Sequence, residues 1–252
     1  MDKELLSAPL DVSIINAHVT RYWRVSVVEL TASTQSDLLE LVRTGDAQGG
    51  DVIAAEFQSH GRGRLSRSFD APPHTALLFS FFIQPARARS DWGWIPLIAG
   101  VSVAQILGNL GAQMKWPNDI LIGEKKVCGI IAEATENGVV IGIGINVGMQ
   151  ITQIPVPNAT SLMIEGACDR SRNQLLSEFL NNFETNFREW DYGSNSINDI
   201  YVGRSATIGK KVRIEYPDGR FELGWATSIS DTGELVLENG TIVQAGDIIH
   251  LR

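Results

Sequence analysis

The chain has 252 residues, 44% of them hydrophobic and 20% charged, with a formal net charge of −8. That length suits one large globular domain, or a large and a small one, around a substantial core. The acidic balance weighs against a nucleic-acid partner, whose phosphates require clustered Lys and Arg. Gly, Pro or charge interrupts every apolar run before it reaches membrane-spanning length. The N-terminal stretch MDKELLSAPLDVS is acidic and polar and lacks the charged-then-apolar order of a signal peptide, so the expected compartment is the cytoplasm. Two cysteines, Cys128 and Cys168, make no disulfide framework and are expected as reduced thiols. The four histidines are scattered, and no metal-ligand spacing is legible.

In chain order, residues 1–22 read as a lead-in segment with a short helix. Trp23–Leu30, rich in β-branched residues, predicts a strand. The hydroxyl-rich run Thr31–Asp37 ahead of the apolar LLELV predicts a helix N-terminus, and Gly45 suits its far end. Asp51–Phe57 predicts a second strand, Ser59–Asp70 is a polar loop dense in Gly and Arg, and Leu77–Ile83 is a continuous apolar run of strand length. Trp94–Leu110 has helical length, with Pro96 near its start. Lys115–Ile122 and Lys126–Glu133 read as two short strands about a turn at Gly123, and Val139–Val147 as a buried strand thinned by glycine. Leu176, Phe179, Leu180, Phe183, Phe187 and Trp190 recur at helical spacing across Gln174–Trp190. Beyond residue 203 the turn signals Pro217-Asp218-Gly219, Asp231-Thr232-Gly233 and Glu238-Asn239-Gly240 separate short alternating segments, the pattern of a small antiparallel barrel. The expected class is α+β, with a lead-in over 1–22, a main domain over 23–202 and an all-β module over 203–252.

Three stretches carry chemistry. In Gly61-Arg62-Gly63-Arg64-Leu65-Ser66-Arg67 three arginines alternate with small residues. Glycine lets the backbone approach a ligand, and guanidinium groups grip phosphate or carboxylate; the same run could also be a solvated basic loop. In Lys115-Trp116-Pro117-Asn118-Asp119 a lysine just before a rigid proline turn can hold a point charge in place, or the segment is an ordinary surface turn. In Gly142-Ile143-Gly144-Ile145-Asn146 glycines inside a buried strand mark close approach by a ligand or by another backbone. The spacing of Gly142, Gly144 and Gly148 does not fit GxGxxG, and neither the phosphate-binding GxxxxGK[ST] pattern nor the GxSxG elbow occurs.

Taken together and in order, Ser33-Thr34-Gln35, Gln58 with GRGRxxR, KWPND, KVCGI and GIGIN resemble the motif series of the biotin–protein ligases. The motifs span residues 28–148, and the likeness extends to the end of the chain. It implies a class II synthetase-like catalytic domain, a central mixed sheet with flanking helices, plus a small C-terminal SH3-like β-barrel. The implied reaction uses ATP and biotin as substrates with Mg²⁺ on the nucleotide, forms biotinyl-5′-AMP, and transfers biotin to a lysine of the biotin carboxyl carrier domain of a carboxylase. By the resemblance, Ser33, Thr34, Gln35, Gln58, Gly61, Arg62, Gly63, Arg64 and Lys115 bind biotin. Arg62, Arg64, Arg67, Phe69, Lys115, Asn118, Gly144 and Asn146 meet ATP or the adenylate, and Lys115, Arg62 and Arg64 are catalytic. Gln35 stands where the family usually has Asn, Ser66 where a Gly is common, and Phe69 where a Trp is usual. Members of the family occur as monomers and as homodimers. Those that act as repressors carry an N-terminal DNA-binding domain, for which the lead-in segment is too short, so the resemblance implies a ligase without that role. A lipoate-type protein ligase and a non-enzymatic biotin or nucleotide sensor are the rival readings.

Overall fold

The computed structural model describes residues 3–64, 67–216 and 218–251; Ser66 lies outside them. The larger sheet contains β1 (Arg24–Thr31), β2 (Asp51–Gln58), β3 (Ala76–Ile83), β4 (Gln113–Lys115), β5 (Asp119–Ile122), β6 (Lys125–Ala134) and β7 (Val139–Asn146). Its order is β1-β2-β3-β7-β6-β5-β4. β1 and β2 run parallel, and the other neighbours are antiparallel, which makes the sheet mixed as expected. β3 and β7 are buried along their whole lengths because they lie inside the sheet and are covered on both faces.

Alternation sorts these strands into two faces. Phe79, Phe81, Ile83, Ile141, Ile143 and Ile145 point into the main core, where α4 (Ile95–Ile106) and α5 (Arg172–Asp191) pack. Pro96 opens α4, and a capping box between Ser171 and Gln174 opens α5. The opposite face carries α3 (Thr34–Thr44), whose Leu38 packs on Ile53, Phe82 and Val140. Gly45, left-handed at φ 82°, ends α3 as its position predicted. The lead-in contains two short helices, α1 (Lys3–Ser7) and α2 (Val12–Asn16), rather than one.

One expected strand is split in two by the structure. Lys115–Ile122 is not one strand. β4 ends at Lys115 and β5 begins at Asp119; the two residues pair across a turn that holds a cis Trp116–Pro117 bond. Proline cannot donate to a ladder, so the chain reverses there. The sequence also gave no expectation of α6 (Ser196–Gly203), which buries only Ile197 and Tyr201 and so shows too little apolar periodicity to read.

The C-terminal sheet is all antiparallel: β8 (Lys211–Glu215), β9 (Phe221–Ile229), β10 (Leu235–Leu237), β11 (Ile242–Val243) and β12 (Asp247–His250), in the order β11-β10-β9-β8-β12. The Asp231-Thr232-Gly233 and Glu238-Asn239-Gly240 signals fall between its strands. Indole N–H groups bind this module to the larger sheet. Trp94 donates to the carbonyls of Ser230 and Asp231 at 3.2 and 3.1 Å, and Trp116 to that of Gly233 at 3.3 Å. Gly93 and Gly233 let the two backbones touch: a Cβ on Gly233, which has φ +97°, would stand 2.5 Å from the Gly93 carbonyl carbon. Gly233→Ala therefore combines a left-handed backbone with a clash against main chain. It should cost about 1–3 kcal/mol of stability, read as a lower denaturant midpoint, and an unchanged midpoint would refute this account of the docking.

Candidate active site

On the α3 face of the sheet the side chains shrink from row to row. Phe82, Val140 and Glu133 lie abreast on β3, β7 and β6; next come Ser80, Gly142 and Ile131, then Leu78, Gly144 and Gly129. Where glycine removes the side chains a cavity of about 310 Å³ opens, roofed by the Gly–Arg loop and flanked by the start of α3 and the KWPND turn. An adjoining cleft of about 890 Å³ runs between that loop, the start of α4 and the β9–β10 turn.

Ser33, Thr34, Gln35, Gln58, Arg62, Gly63, Arg64, Arg67, Phe69, Lys115, Asn118 and Gly144 all line the cavity. Gly61 faces the adjoining cleft, where a Cβ would meet the Phe69 carbonyl oxygen at 2.2 Å. Asn146 lines neither space: its amide donates to the Thr160 carbonyl at 2.9 Å, which braces the end of β7. Cys128 is buried, and burial pushes its thiol pKa up, so it behaves as a small apolar residue. Ser80, Gly129, Glu133, Lys126 and Asp247 belong to the site or its immediate contacts but were not singled out from the sequence, although Gly129 and Lys126 lie in KVCGI; Asp119, the last residue of KWPND, also lines the cavity.

The polar groups of the floor have fixed senses. Thr34 donates from its backbone N–H (2.8 Å) and from its hydroxyl (3.0 Å) to Gln58 Oε1, which leaves the Gln58 Nε2 end as donor. Gln35 Nε2 donates to Glu133 Oε1 and to the Val140 carbonyl, both at 3.1 Å, which leaves Gln35 Oε1 as acceptor. The extra methylene of Gln over Asn at this position gives the reach to β6 and β7. Among the described residues Gln35 Oε1 and Ser33 Oγ are buried without a hydrogen-bond partner. Ser33 occupies the N-cap of α3, yet its side chain makes no capping bond. A buried polar atom left unpaired costs about 1–3 kcal/mol, so these two mark where a ligand would bind.

The rim is cationic. Arg62 meets Glu133 with both nitrogens, at 3.0 and 3.2 Å, Arg67 pairs with Asp247, and Lys126 pairs with Asp119 at 2.6 Å. Among the described residues Arg64 reaches only the neutral acceptors Asn118 Oδ1 (3.2 Å) and the Gly246 carbonyl (3.4 Å). Among the described residues Lys115 has no ion-pair partner. Burial draws the pKa of Lys115 below the ordinary lysine value against the opposing pull of Asp119, and Lys126 lowers it further. Burial likewise lowers Arg64, against Asp247 and Asp119, though a guanidinium stays charged. An excess of positive charge is thus held at one point of an acidic chain, where a polyanion would be drawn. Among the described residues no group of three or more His, Cys, Asp or Glu side chains converges to hold a metal ion. Phe69 lies half-buried against the sheet, so close that a Cβ on Gly144 would stand 2.6 Å from its ring.

A floor that sorts donors from acceptors beside a ring of cations suits a small polar ligand held next to a polyanion. Residues 27–150 match the biotin/lipoate A/B protein ligase family. The chain is 35% identical to the biotin–[acetyl-CoA-carboxylase] ligase of Mycobacterium tuberculosis over 100% of its own length and 99% of that protein. It is 32% identical to the bifunctional ligase/repressor BirA of Bacillus subtilis over 83% of its own length and 68% of that protein. The biotin protein ligase of Aquifex aeolicus, solved in complex with biotin and ATP, superposes with a TM-score of 0.77 at 26% identity over 91% of this chain and 99% of that one. The chain belongs to the biotin protein ligases of this family.

If the Ser33 hydroxyl is reserved for a ligand, removing it should not weaken the ligand-free fold. An N-cap serine in capping use loses about 0.5–2 kcal/mol on replacement by alanine. Ser33→Ala should instead leave the denaturant midpoint of the ligand-free chain unchanged or raised, and a loss of about 1 kcal/mol would show that the side chain caps α3 after all.

Proposed function

We propose that the chain is a biotin–protein ligase that joins biotin to ATP as biotinyl-5′-AMP, releasing pyrophosphate, and then passes the biotinyl group to a lysine of a biotin carboxyl carrier domain. The observation that carries this reading is the fixed sense of the floor. A cyclic urea has a carbonyl that accepts and two N–H groups that donate; Gln58 Nε2 offers the donor, Gln35 Oε1 the acceptor, and Ser33 Oγ can serve as either. The dithiolane ring of lipoate has neither group and would leave these buried atoms unpaired, which disfavours the lipoate-type reading. The acceptor assignment rests on the name of the M. tuberculosis relative, a biotin–[acetyl-CoA-carboxylase] ligase.

In the first step a biotin carboxylate oxygen bonds to the α-phosphorus of ATP as the bond to pyrophosphate breaks. Both reactants are anions, so the main need is preorganised positive charge. In this proposal Lys115, Arg62 and Arg64 supply it; Arg67 and Asn118 hold the nucleotide, and Phe69 on the bare surface of Gly144 offers a face for the base. Asn146 is left out because its amide is committed to Thr160. Asp119 and Asp247 are committed to Lys126 and Arg67, and in this proposal Mg²⁺ arrives on the nucleotide phosphates. In the second step the neutral acceptor amine attacks the acyl carbon and AMP leaves. The adjoining cleft gives that amine a way in between loop and module. A sensor without catalysis would not require two cations lacking carboxylate partners, which favours the enzyme.

Pyrophosphate release from ATP should depend on biotin in the wild type and fall by about a hundredfold or more in Lys115→Ala. Release that ignores biotin, or survives the substitution, would overturn the proposal. Lys115 acts as the protonated form, and burial lowers its pKa. The alkaline limb of kcat/KM for adenylation should therefore begin below the ordinary lysine value of about 10.4, and activity should fall as pH rises through it. Lys115→Arg should move that limb upward, because a guanidinium keeps its proton. A limb that does not move would assign the titration to another group.

A further inference from the structure

We propose that Glu133 is a positioning residue for ligand recognition: by taking one N–H of the Gln35 amide, it fixes Gln35 Oε1 as an acceptor aimed at an N–H of the bound ring. This rests on the reading of the site as a biotin site and adds the group that sets its polarity. Gln35 is 2% exposed, so its amide cannot turn to water for partners. The two atoms next to its Nε2, a Glu133 carboxylate oxygen and the Val140 carbonyl oxygen, can only accept. Either alone would bias the amide; the charged one makes the stronger bond. Oε1 is then turned toward Gly142, at 2.7 Å from where a Cβ would lie, and both residues line the cavity. If the amide were reversed, Gln35 and Gln58 would both present donors and a ring N–H would meet no acceptor.

Glu133 also grips Arg62 of the Gly–Arg loop, so one carboxylate serves both the floor and the roof of the cavity. The two roles separate by substitution. Glu133→Gln keeps an oxygen that can accept from Gln35 Nε2 but loses the charge that holds Arg62. Glu133→Met keeps the length and loses both. At 39% exposure the side chain can be replaced without opening the core.

The test is the Kd of biotin for the full chain, without ATP, by calorimetry. Glu133→Met should weaken binding about tenfold, and Glu133→Gln should stay within about threefold of wild type. In a Gln35→Ala background Glu133→Met should change Kd by no more than about threefold, because only the Arg62 contact, which Glu133→Gln also removes, is left for it to act through. An equal loss in both backgrounds, no loss in either, or a Glu133→Gln variant as weak as Glu133→Met would each overturn the proposal. Failure of the wild type itself to bind biotin would instead sink the biotin reading on which it rests.

Discussion

Side chains from three directions can meet over the centre of this sheet only because Gly129 on β6 and Gly142 and Gly144 on β7 carry none of their own. A Cβ at Gly142 would stand 2.7 Å from Gln35 Oε1, one at Gly144 2.6 Å from the Phe69 ring, and one at Gly129 3.1 Å from the end of Lys126. These glycines sit in pleated strands that other residues could adopt, so conformational freedom does not explain them. Space does: the floor is thinned where α3, the Gly–Arg loop and β6 converge, and Leu38 packs on Phe82 and Val140 one row away to keep the helix in contact with the sheet.

Thinning alone would give a hole of no particular chemistry. What gives it a sense is that each floor amide is held from behind. Gln58 is oriented by Thr34, which also hydrogen-bonds Ser80 at 2.9 Å, and Gln35 by Val140 and Glu133. An amide free to flip could satisfy a ligand of either polarity; one with a committed end cannot. The consequence is that Gln35 Oε1 and Ser33 Oγ stay buried and unpaired, at a cost to the fold that a matching ligand would recover.

The contiguous parts of this design were legible in the sequence. Ser33, Thr34 and Gln35 announce themselves as hydroxyl and amide residues at a helix start, the loop arginines by their alternation with glycine, and Lys115 by the proline turn that follows it. The parts assembled by register were not. Glu133 reaches Gln35 because it pairs with Val140, Ser80 faces the cavity because it pairs with Gly142, and Asp247 does because a distant hairpin folds back onto the loop. Asn146 shows the limit from the other side. It shares the face of Gly142 and Gly144 by alternation, but Thr160 captures its amide, and no local pattern marks that crossing segment. The turn that splits β4 from β5 could have been read from Pro117, whereas α6 buries too few residues to leave a signature.

The ion pairs of the rim differ in a way that bears on how a polyanion would enter. Arg62 and Arg67 are 43% and 65% exposed at the side chain, and their partners lie on opposite sides, Glu133 on the sheet and Asp247 on the C-terminal module. Pairs so exposed contribute at most about 1 kcal/mol, yet they hold apart guanidinium groups that would otherwise repel one another in a glycine-rich loop. Such pairs are cheap to exchange for phosphate. Lys115 and Arg64 are the less accessible cations, and the charge they carry is not matched by a carboxylate in ion-pair contact, so an incoming anion gains most by reaching them. Because Gly246 and Asp247 belong to the C-terminal module, and that module is fastened through Trp94, Trp116 and the Gly93–Gly233 contact, the loop's resting position depends on a docking made elsewhere. Loosening that contact would free Arg67, and Arg64 from the Gly246 carbonyl, while leaving Arg62 on Glu133 and the amide-lined floor intact, which separates the part of the site that chooses the acid from the outer part that receives the nucleotide.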